Sequence, residues 1–185
     1  ISKKTNGEAI IVADVGQNQM FSARFYQYKN PNSYITSGGL GTMGFALPAA
    51  MGAKIAAPNK QVIAIIGDGG FQMTIQELGT IFQEKLPIKI LILNNEYLGM
   101  VRQWQEMFFK KRYSFTHLQN PDFIAISKGY GIPAKLVIEK NQLEKAVDKF
   151  LKNKGSTLLE VRVEKENNIF PMIPSGAAVD QVRIE

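Results

Sequence analysis

Short blocks of consecutive apolar, largely β-branched residues recur along the chain, separated by longer stretches in which apolar positions return every three or four residues. The blocks predict buried strands at 9–13, 61–66, 88–93, 134–138 and 157–163. The intervening pattern predicts helices at 42–57, 74–83, 98–109, 121–129 and 142–152. The last carries Asn141 as its expected cap and Leu143, Ala146, Val147, Phe150 and Leu151 on one face. Strand and helix in alternation imply an α/β fold, a doubly wound parallel sheet with helices on both faces. The closing stretch 164–185 has no clear period and contains Pro171 and Pro174. It reads as an irregular tail, either a lid over a site or simple disorder.

The middle of the chain gives the sharpest local reading. The apolar run ending at Ile66 is followed by Gly67-Asp68-Gly69, and the run ending at Leu93 by Asn94-Asn95. Between them, Thr74-Ile75-Gln76-Glu77 has the form of a capping box, and Ile75, Leu78, Ile81 and Phe82 recur at helical spacing until Pro87. A helix of roughly 12 residues spans about 18 Å, close to the length of a six-residue strand, so the segment closes as a right-handed βαβ unit. Both strand ends then reach the same sheet edge, where parallel sheets bind ligands and where glycines let backbone N–H groups approach a phosphate. Asp68 and the Asn95 amide oxygen become neighbours. With a main-chain carbonyl they would supply the hard oxygen donors that magnesium prefers on a diphosphate. Each fragment alone reads more simply as a tight turn, and it is the pair at this spacing that points to a site.

Composition narrows the picture. At 185 residues and 45% apolar content, the sequence suits one domain with a sizeable core, and no repeat or linker divides it. No cysteine is present, which excludes disulfides and thiolate metal sites and fits a reducing cytoplasm. No apolar run reaches a membrane span, since 41–57 is interrupted by Pro48 and Lys54, and the start does not read as a signal peptide. Ile1 in place of an initiator methionine reads as a chain begun within a longer one. The net charge of +6 is scattered, with one dense cluster, Lys110-Lys111-Arg112, expected as a solvated segment after a helix. Nucleic acid is therefore not an expected partner. A moderate positive balance suits small anionic ligands. His117, the only histidine, has no partner acid or nucleophile in view and is expected to be a surface or core residue.

Gly67-Asp68-Gly69 with Asn94-Asn95 resembles the signature of the diphosphate-binding domain of thiamine-diphosphate enzymes. Further segments resemble one branch, the acetolactate synthase (acetohydroxyacid synthase) catalytic subunits. These are Gly16-Gln17-Asn18-Gln19-Met20, Gly38-Gly39-Leu40-Gly41-Thr42-Met43-Gly44, the run from Asn95 through Gly99-Met100-Val101-Arg102-Gln103-Trp104, and Pro171-Met172-Ile173-Pro174-Ser175-Gly176. The resemblance runs from about residue 9 to the end. It implies that Val15, Gly16, Gln17 and Asn18 line the cofactor diphosphate after the first strand. It extends the cofactor site to Gly41, Met43, Gly67, Asp68, Gly69, Gly70, Asn95, Tyr97, Leu98, Gly99 and Met100. Magnesium would be held by Asp68, Asn95 and the Tyr97 carbonyl. The family usually carries histidine at the place of Asn18; an amide is still able to donate a hydrogen bond there. Met43 would wedge between the two rings of the cofactor and keep it bent, whereas without the resemblance it would read as a core filler. Met100 and Trp104, four apart on a helix, would face the second keto acid, with Ser175 and Gly176 in a closing tail. Without the resemblance, the pair reads as a core stripe with Val101, Met107 and Phe108.

The implied activity is decarboxylation of pyruvate and joining of the two-carbon unit to a second 2-keto acid, giving acetolactate or acetohydroxybutyrate in branched-chain amino acid biosynthesis. Implied cofactors are thiamine diphosphate and magnesium. Whether FAD binds a middle domain elsewhere in the parent enzyme is left open, as are the acceptor preference and a regulatory subunit. None of Glu8, Glu77, Glu84 or Glu96 sits in a motif matching the glutamate that activates the cofactor. The resemblance places that residue on a pyrimidine-binding domain of another subunit. The expectation is thus a single domain, 1–185, from a larger enzyme, inactive alone and completed in a homodimer or higher oligomer. Two alternatives stand beside it: a related decarboxylase or carboligase, and a non-catalytic phosphate-binding module.

Overall fold

The computed structural model describes residues 1–174 and 176–184. Six strands, β1 (Ile10–Ala13), β2 (Tyr34–Thr36), β3 (Val62–Gly67), β4 (Ile88–Asn94), β5 (Ala134–Val137) and β6 (Thr157–Arg162), form one sheet in the order β2-β1-β3-β4-β6-β5. Every pairing is parallel. Helices fill the crossovers: α1 (Gln17–Phe25), α2 (Ala46–Ala56), α3 (Asp68–Met73), α4 (Glu77–Gln83), α5 (Gly99–Phe108), α6 (Phe123–Gly129) and α7 (Lys140–Lys152).

The two-residue period of a strand sorts the apolar blocks onto two faces. On one face Val12, Val62, Ala64, Ile66, Ile88, Ile90, Ile92 and Leu158 pack with Leu47 of α2, Phe71 of α3, Leu78 and Ile81 of α4 and Phe123 of α6. On the other, Ile11, Ile63, Ile65, Leu91, Val137 and Leu159 pack with Ala146, Val147 and Phe150 of α7. Both faces are covered, as the unbroken apolar runs required. From β1 the chain steps outward to β2, then returns across β1 to β3 and moves the other way. The crevice between the ends of β1 and β3 is therefore a topological switch point.

Several local expectations are corrected. Residues 17–25 form a helix that the periodicity did not predict, because α1 buries Gln17, Asn18 and Ser22 in place of an apolar stripe. The edge strand β2 is three residues long and also went unpredicted. Asp68 opens a helix of its own, and the supposed capping box is not one. The Thr74 hydroxyl donates to the Gly44 carbonyl at 3.0 Å, and α4 begins only at Glu77. Helix α2 starts at Ala46, not Thr42, because Gly44 has a left-handed φ of 84° that breaks the preceding turn. Helix α7 is preceded by Glu139, so Asn141 lies in its first turn and does not cap it. For α6, Asp122 accepts a hydrogen bond from the Ala125 N–H at 2.9 Å, a regular side-chain cap.

The tail is irregular in backbone yet packed against the domain. Ile169 is buried, Gln103 both donates to its carbonyl and accepts from its N–H at 3.2 Å, and the Arg24 guanidinium donates to the carbonyls of Phe170 and Pro171.

Candidate functional site

A cavity of about 440 Å³ opens at the carboxyl ends of β1, β3 and β4. Three helices begin there. Gly16, Gln17 and Asn18 come from the start of α1, Asp68, Gly69 and Gly70 from α3, and Leu98, Gly99, Met100 and Val101 from α5. Backbone N–H groups and the positive ends of the α1 and α5 dipoles are thus presented to one volume, an environment suited to an anion.

Several wall glycines are spatial requirements. A Cβ on Gly16 would stand 2.5 Å from Asn18 Oδ1, and one on Gly67 would stand 3.2 Å from the same atom. On Gly99 it would meet Gln17 Oε1 at 2.3 Å and the Asn95 amide nitrogen at 2.7 Å. Polar side chains lie directly on the backbone here, leaving no room for a larger residue.

Asp68 is 1% exposed. Burial pushes its carboxyl up from the ordinary carboxylate range, while the Asn120 amide and the N–H groups of Asp68, Asn95 and Gly69 pull it back. No lysine, arginine or histidine forms an ion pair with it among the described residues. A buried carboxylate on a cavity wall without a cationic partner fits a bound cation. No cluster of three or more His, Cys, Asp and Glu residues exists among the described residues. The donors are instead a carboxylate, amide oxygens and carbonyls, the set that suits magnesium on a diphosphate and not zinc.

The adjacent asparagines divide their tasks because successive strand residues face opposite ways. Asn94, 1% exposed, turns toward β6, donating to Glu160 Oε1 at 2.7 Å and accepting from the Glu96 N–H at 3.1 Å. Asn95 lines the cavity; its Oδ1 accepts from the Tyr97 N–H at 3.1 Å. Tyr97 borders the cavity while its ring lies against His117, with centroids 5.1 Å apart. The pairing of Leu98 N–H with Thr116 and of Leu118 N–H with Glu96, at 2.8 Å each, holds this segment in place. His117 is thereby a packing partner of the loop.

All the residues expected around the cofactor, from Val15 to Met100, line this one cavity. Asn18, however, does not offer the expected donor. Its Nδ2 is occupied by the carbonyls of Asp14 at 2.8 Å and Ile65 at 3.2 Å, so that Oδ1 lies beside Gly16 and Gly67. The residue presents an acceptor where donation was expected.

The residues expected around the second substrate come together less completely. Met100 lines the cavity, whereas Trp104, one turn further along α5, does not; it is 38% exposed and packs against Phe108 in a tilted arrangement with ring centroids 4.9 Å apart. Gly176 is exposed and away from the cavity, and Ser175 lies outside the described residues.

Sequence reasoning missed Phe21, Leu93, Val101, Val163, Glu164 and Asn167, which also line the cavity. It missed Asp14 too. This buried carboxylate accepts from the N–H groups of Val15 at 2.9 Å, Gly44 at 3.0 Å and Ala46 at 2.9 Å, fixing the turn that carries Met43. Burial pushes its carboxyl up, and those three N–H groups oppose the shift. A lone aspartate directly after an apolar strand and two residues before a glycine was the available signal.

Residues 14–161 match the family described as "Thiamine pyrophosphate enzyme, C-terminal TPP binding domain". The chain is 46% identical over 179 residues to acetolactate synthase isozyme 2 large subunit of Escherichia coli (strain K12), covering 96% of this chain and 33% of that protein. It is 50% identical over 171 residues to the mitochondrial acetolactate synthase of Schizosaccharomyces pombe, covering 92% and 26%. To the mitochondrial acetolactate synthase catalytic subunit of Saccharomyces cerevisiae it is 45% identical over 181 residues, covering 98% and 26%. The chain thus spans about a third or less of the length of these relatives.

Proposed function

Given that the chain belongs to the family of C-terminal thiamine-pyrophosphate-binding domains of thiamine pyrophosphate enzymes, we propose that it forms the diphosphate-binding half of an acetolactate synthase active site. The reaction is decarboxylation of pyruvate and transfer of the two-carbon unit to a second 2-keto acid, giving acetolactate or acetohydroxybutyrate. The observation that carries this reading is the convergence of Gly16–Asn18, Asp68–Gly70, Asn95 and Tyr97–Met100 on one cavity around a buried carboxylate that has no cationic partner among the described residues. The names of the relatives support the choice of reaction.

Thiamine diphosphate, when bound, supplies the electron-accepting ring on which a 2-keto acid loses carbon dioxide. The residues of this chain bind and orient it. The N–H groups opening α1 and the Gly70 N–H would receive the diphosphate, and Asp68, the Asn95 amide oxygen and the Tyr97 carbonyl would hold magnesium. Met43 sets the angle between the two rings, its turn anchored by Asp14. Met100 faces the substrates. Trp104, Ser175 and Gly176 would join them there when the tail and another polypeptide segment complete the pocket. Glu8, Glu77, Glu84 and Glu96 do not line the cavity, whereas Glu164 does; the activating glutamate is taken, as the resemblance implies, to come from another domain or subunit. Apolar side chains as exposed as Leu40 and Phe115 suit a surface that another segment covers. FAD, if the whole enzyme binds it, would sit outside this domain. The names "large subunit" and "catalytic subunit" borne by two relatives support a regulatory companion.

Product analysis of the full-length protein given pyruvate, thiamine diphosphate and magnesium, beside an Asp68→Ala variant, tests the reading. Acetolactate that is lost in the variant supports it. Acetaldehyde would indicate a decarboxylase, and no metal-dependent product would leave a phosphate-binding module.

A further inference from the structure

The side chain that fixes the Asp68 carboxylate comes from a segment outside every motif that marks the site. Asn120 lies between the Tyr97–His117 pairing and α6. Its Nδ2 donates to Asp68 Oδ2 at 2.7 Å and to Asn94 Oδ1 at 3.1 Å. Its own Oδ1 accepts from Gln72 Nε2 at 2.8 Å. One amide thus ties the first turn of α3 to the end of β4, and Gln72, one turn along α3, sets which way that amide faces. Among the described residues, Asp68 Oδ2 takes this side-chain hydrogen bond and Oδ1 takes none.

This asymmetry has a consequence for a cation. A carboxylate with both oxygens free can bind an ion through one oxygen or through two. Magnesium demands near-octahedral single-oxygen donors at roughly 2.0–2.1 Å, whereas calcium accepts six to eight oxygens at roughly 2.3–2.6 Å and readily takes a carboxylate bidentately. A donor held on Oδ2 competes with bidentate binding and so favours attachment of an ion through one oxygen. Hydrogen bonds of this outer kind commonly carry 10- to 100-fold in metal affinity.

We propose that Asn120, oriented by Gln72, is a positioning residue that holds Asp68 in the one-oxygen mode and so makes the site selective for magnesium over calcium. The proposal rests on the metal-site reading of Asp68 given above. It concerns which ion the site prefers, not whether the site exists.

Calorimetric titration of magnesium and of calcium into the full-length protein with saturating thiamine diphosphate tests it without reference to turnover. In Asn120→Ala, magnesium affinity is expected to fall about tenfold or more. Calcium affinity falls less or rises, so the magnesium-to-calcium ratio drops. Gln72→Leu, at a residue that does not line the cavity, is expected to shift the ratio the same way by a smaller factor, and it carries the test if Asn120→Ala does not fold. Equal losses of both ions in the variants, or an unchanged ratio, would overturn the proposal, because a purely architectural role would weaken both alike. Asp68→Ala separates the two levels: undiminished metal binding in that variant would sink the metal-site reading itself.

Discussion

Gly69 and Gly70 are neighbours in the first turn of α3, and the structure expects opposite consequences from their replacement by alanine. Helix propensity alone favours either change by about 1 kcal/mol. Neither residue has a left-handed φ, so the backbone would accept a side chain at both. Space decides. A Cβ on Gly70 would stand 2.5 Å from Asp14 Oδ1 and 3.0 Å from its Cγ. That carboxylate is fully buried and pinned by three backbone N–H groups. Relieving the overlap requires moving it by about 1 Å, which breaks at least one charge-assisted hydrogen bond and strands a buried donor, at about 3–5 kcal/mol. Net of propensity, Gly70→Ala is expected to destabilise by about 2–4 kcal/mol, lowering the melting temperature of a domain this size by about 5–12 °C. On Gly69 the Cβ would meet Leu98 Cδ2 at 2.8 Å, Leu118 Cδ1 at 3.1 Å and Met43 Cε at 3.5 Å, all movable side-chain ends. Gly69→Ala should stay within about 1 kcal/mol of wild type. Thermal unfolding of both variants followed by circular dichroism provides the comparison. Equal melting temperatures, or a Gly70→Ala protein more stable than wild type, would refute the idea that Asp14 is immovable.

Two further perturbations read other parts of the domain. Lys89 is buried on β4 and donates to the carbonyls of Asn153 and Gly155 at 2.6 Å each, and burial, with a smaller push from Lys54, lowers its pKa from 10.5 to about 8. The unfolded chain then binds more protons than the native one between about pH 8 and 10.5, so this residue's contribution to stability rises with pH across that window. The melting temperature of wild type minus that of Lys89→Met should therefore grow from pH 7.5 to 9.5; a constant or shrinking difference would contradict the burial of the ammonium. In Gln103→Leu, the two hydrogen bonds to Ile169 disappear, about 2 kcal/mol of local stability. The Ile169 amide should lose on the order of 30-fold in hydrogen-exchange protection, and unchanged protection would mean that the tail is held by other contacts.

The elements legible in the sequence were those whose stability comes from apolar burial. β3 and β4 announce themselves because their residues pack against helices on both sides, and α7 because Ala146, Val147 and Phe150 mark a single buried face. What went unread is held by polar contacts. α1 buries amides and a serine, the turn before α2 is fixed by Asp14, and Thr74 spends its hydroxyl on Gly44 and not on a cap. Such contacts join residues about 30 apart in the chain, and no local period encodes them. Around the cavity the same division holds. Asp68 and Asn95 were readable through spacing, while Asn120, which orients one of them, comes from a segment with no motif to flag it.

Helix α5 carries this reasoning furthest, because its polarity is inverted. It buries Arg102 and Gln103 and exposes Val101, Trp104 and Phe108. A helix folding by propensity and apolar burial alone would turn the other way. The reason lies in its partner: the tail brings backbone groups to this face, and the Gln103 amide, donor and acceptor together, satisfies both the N–H and the carbonyl of Ile169. Gln103 also accepts from Gln17 Nε2 at 3.0 Å, and Gln17 Oε1 lies 3.5 Å from the Asn95 amide nitrogen. The seat of the tail and a wall of the cavity are therefore linked through two glutamine side chains. The polar face of α5 was spent on that link, which left its apolar residues on the outside.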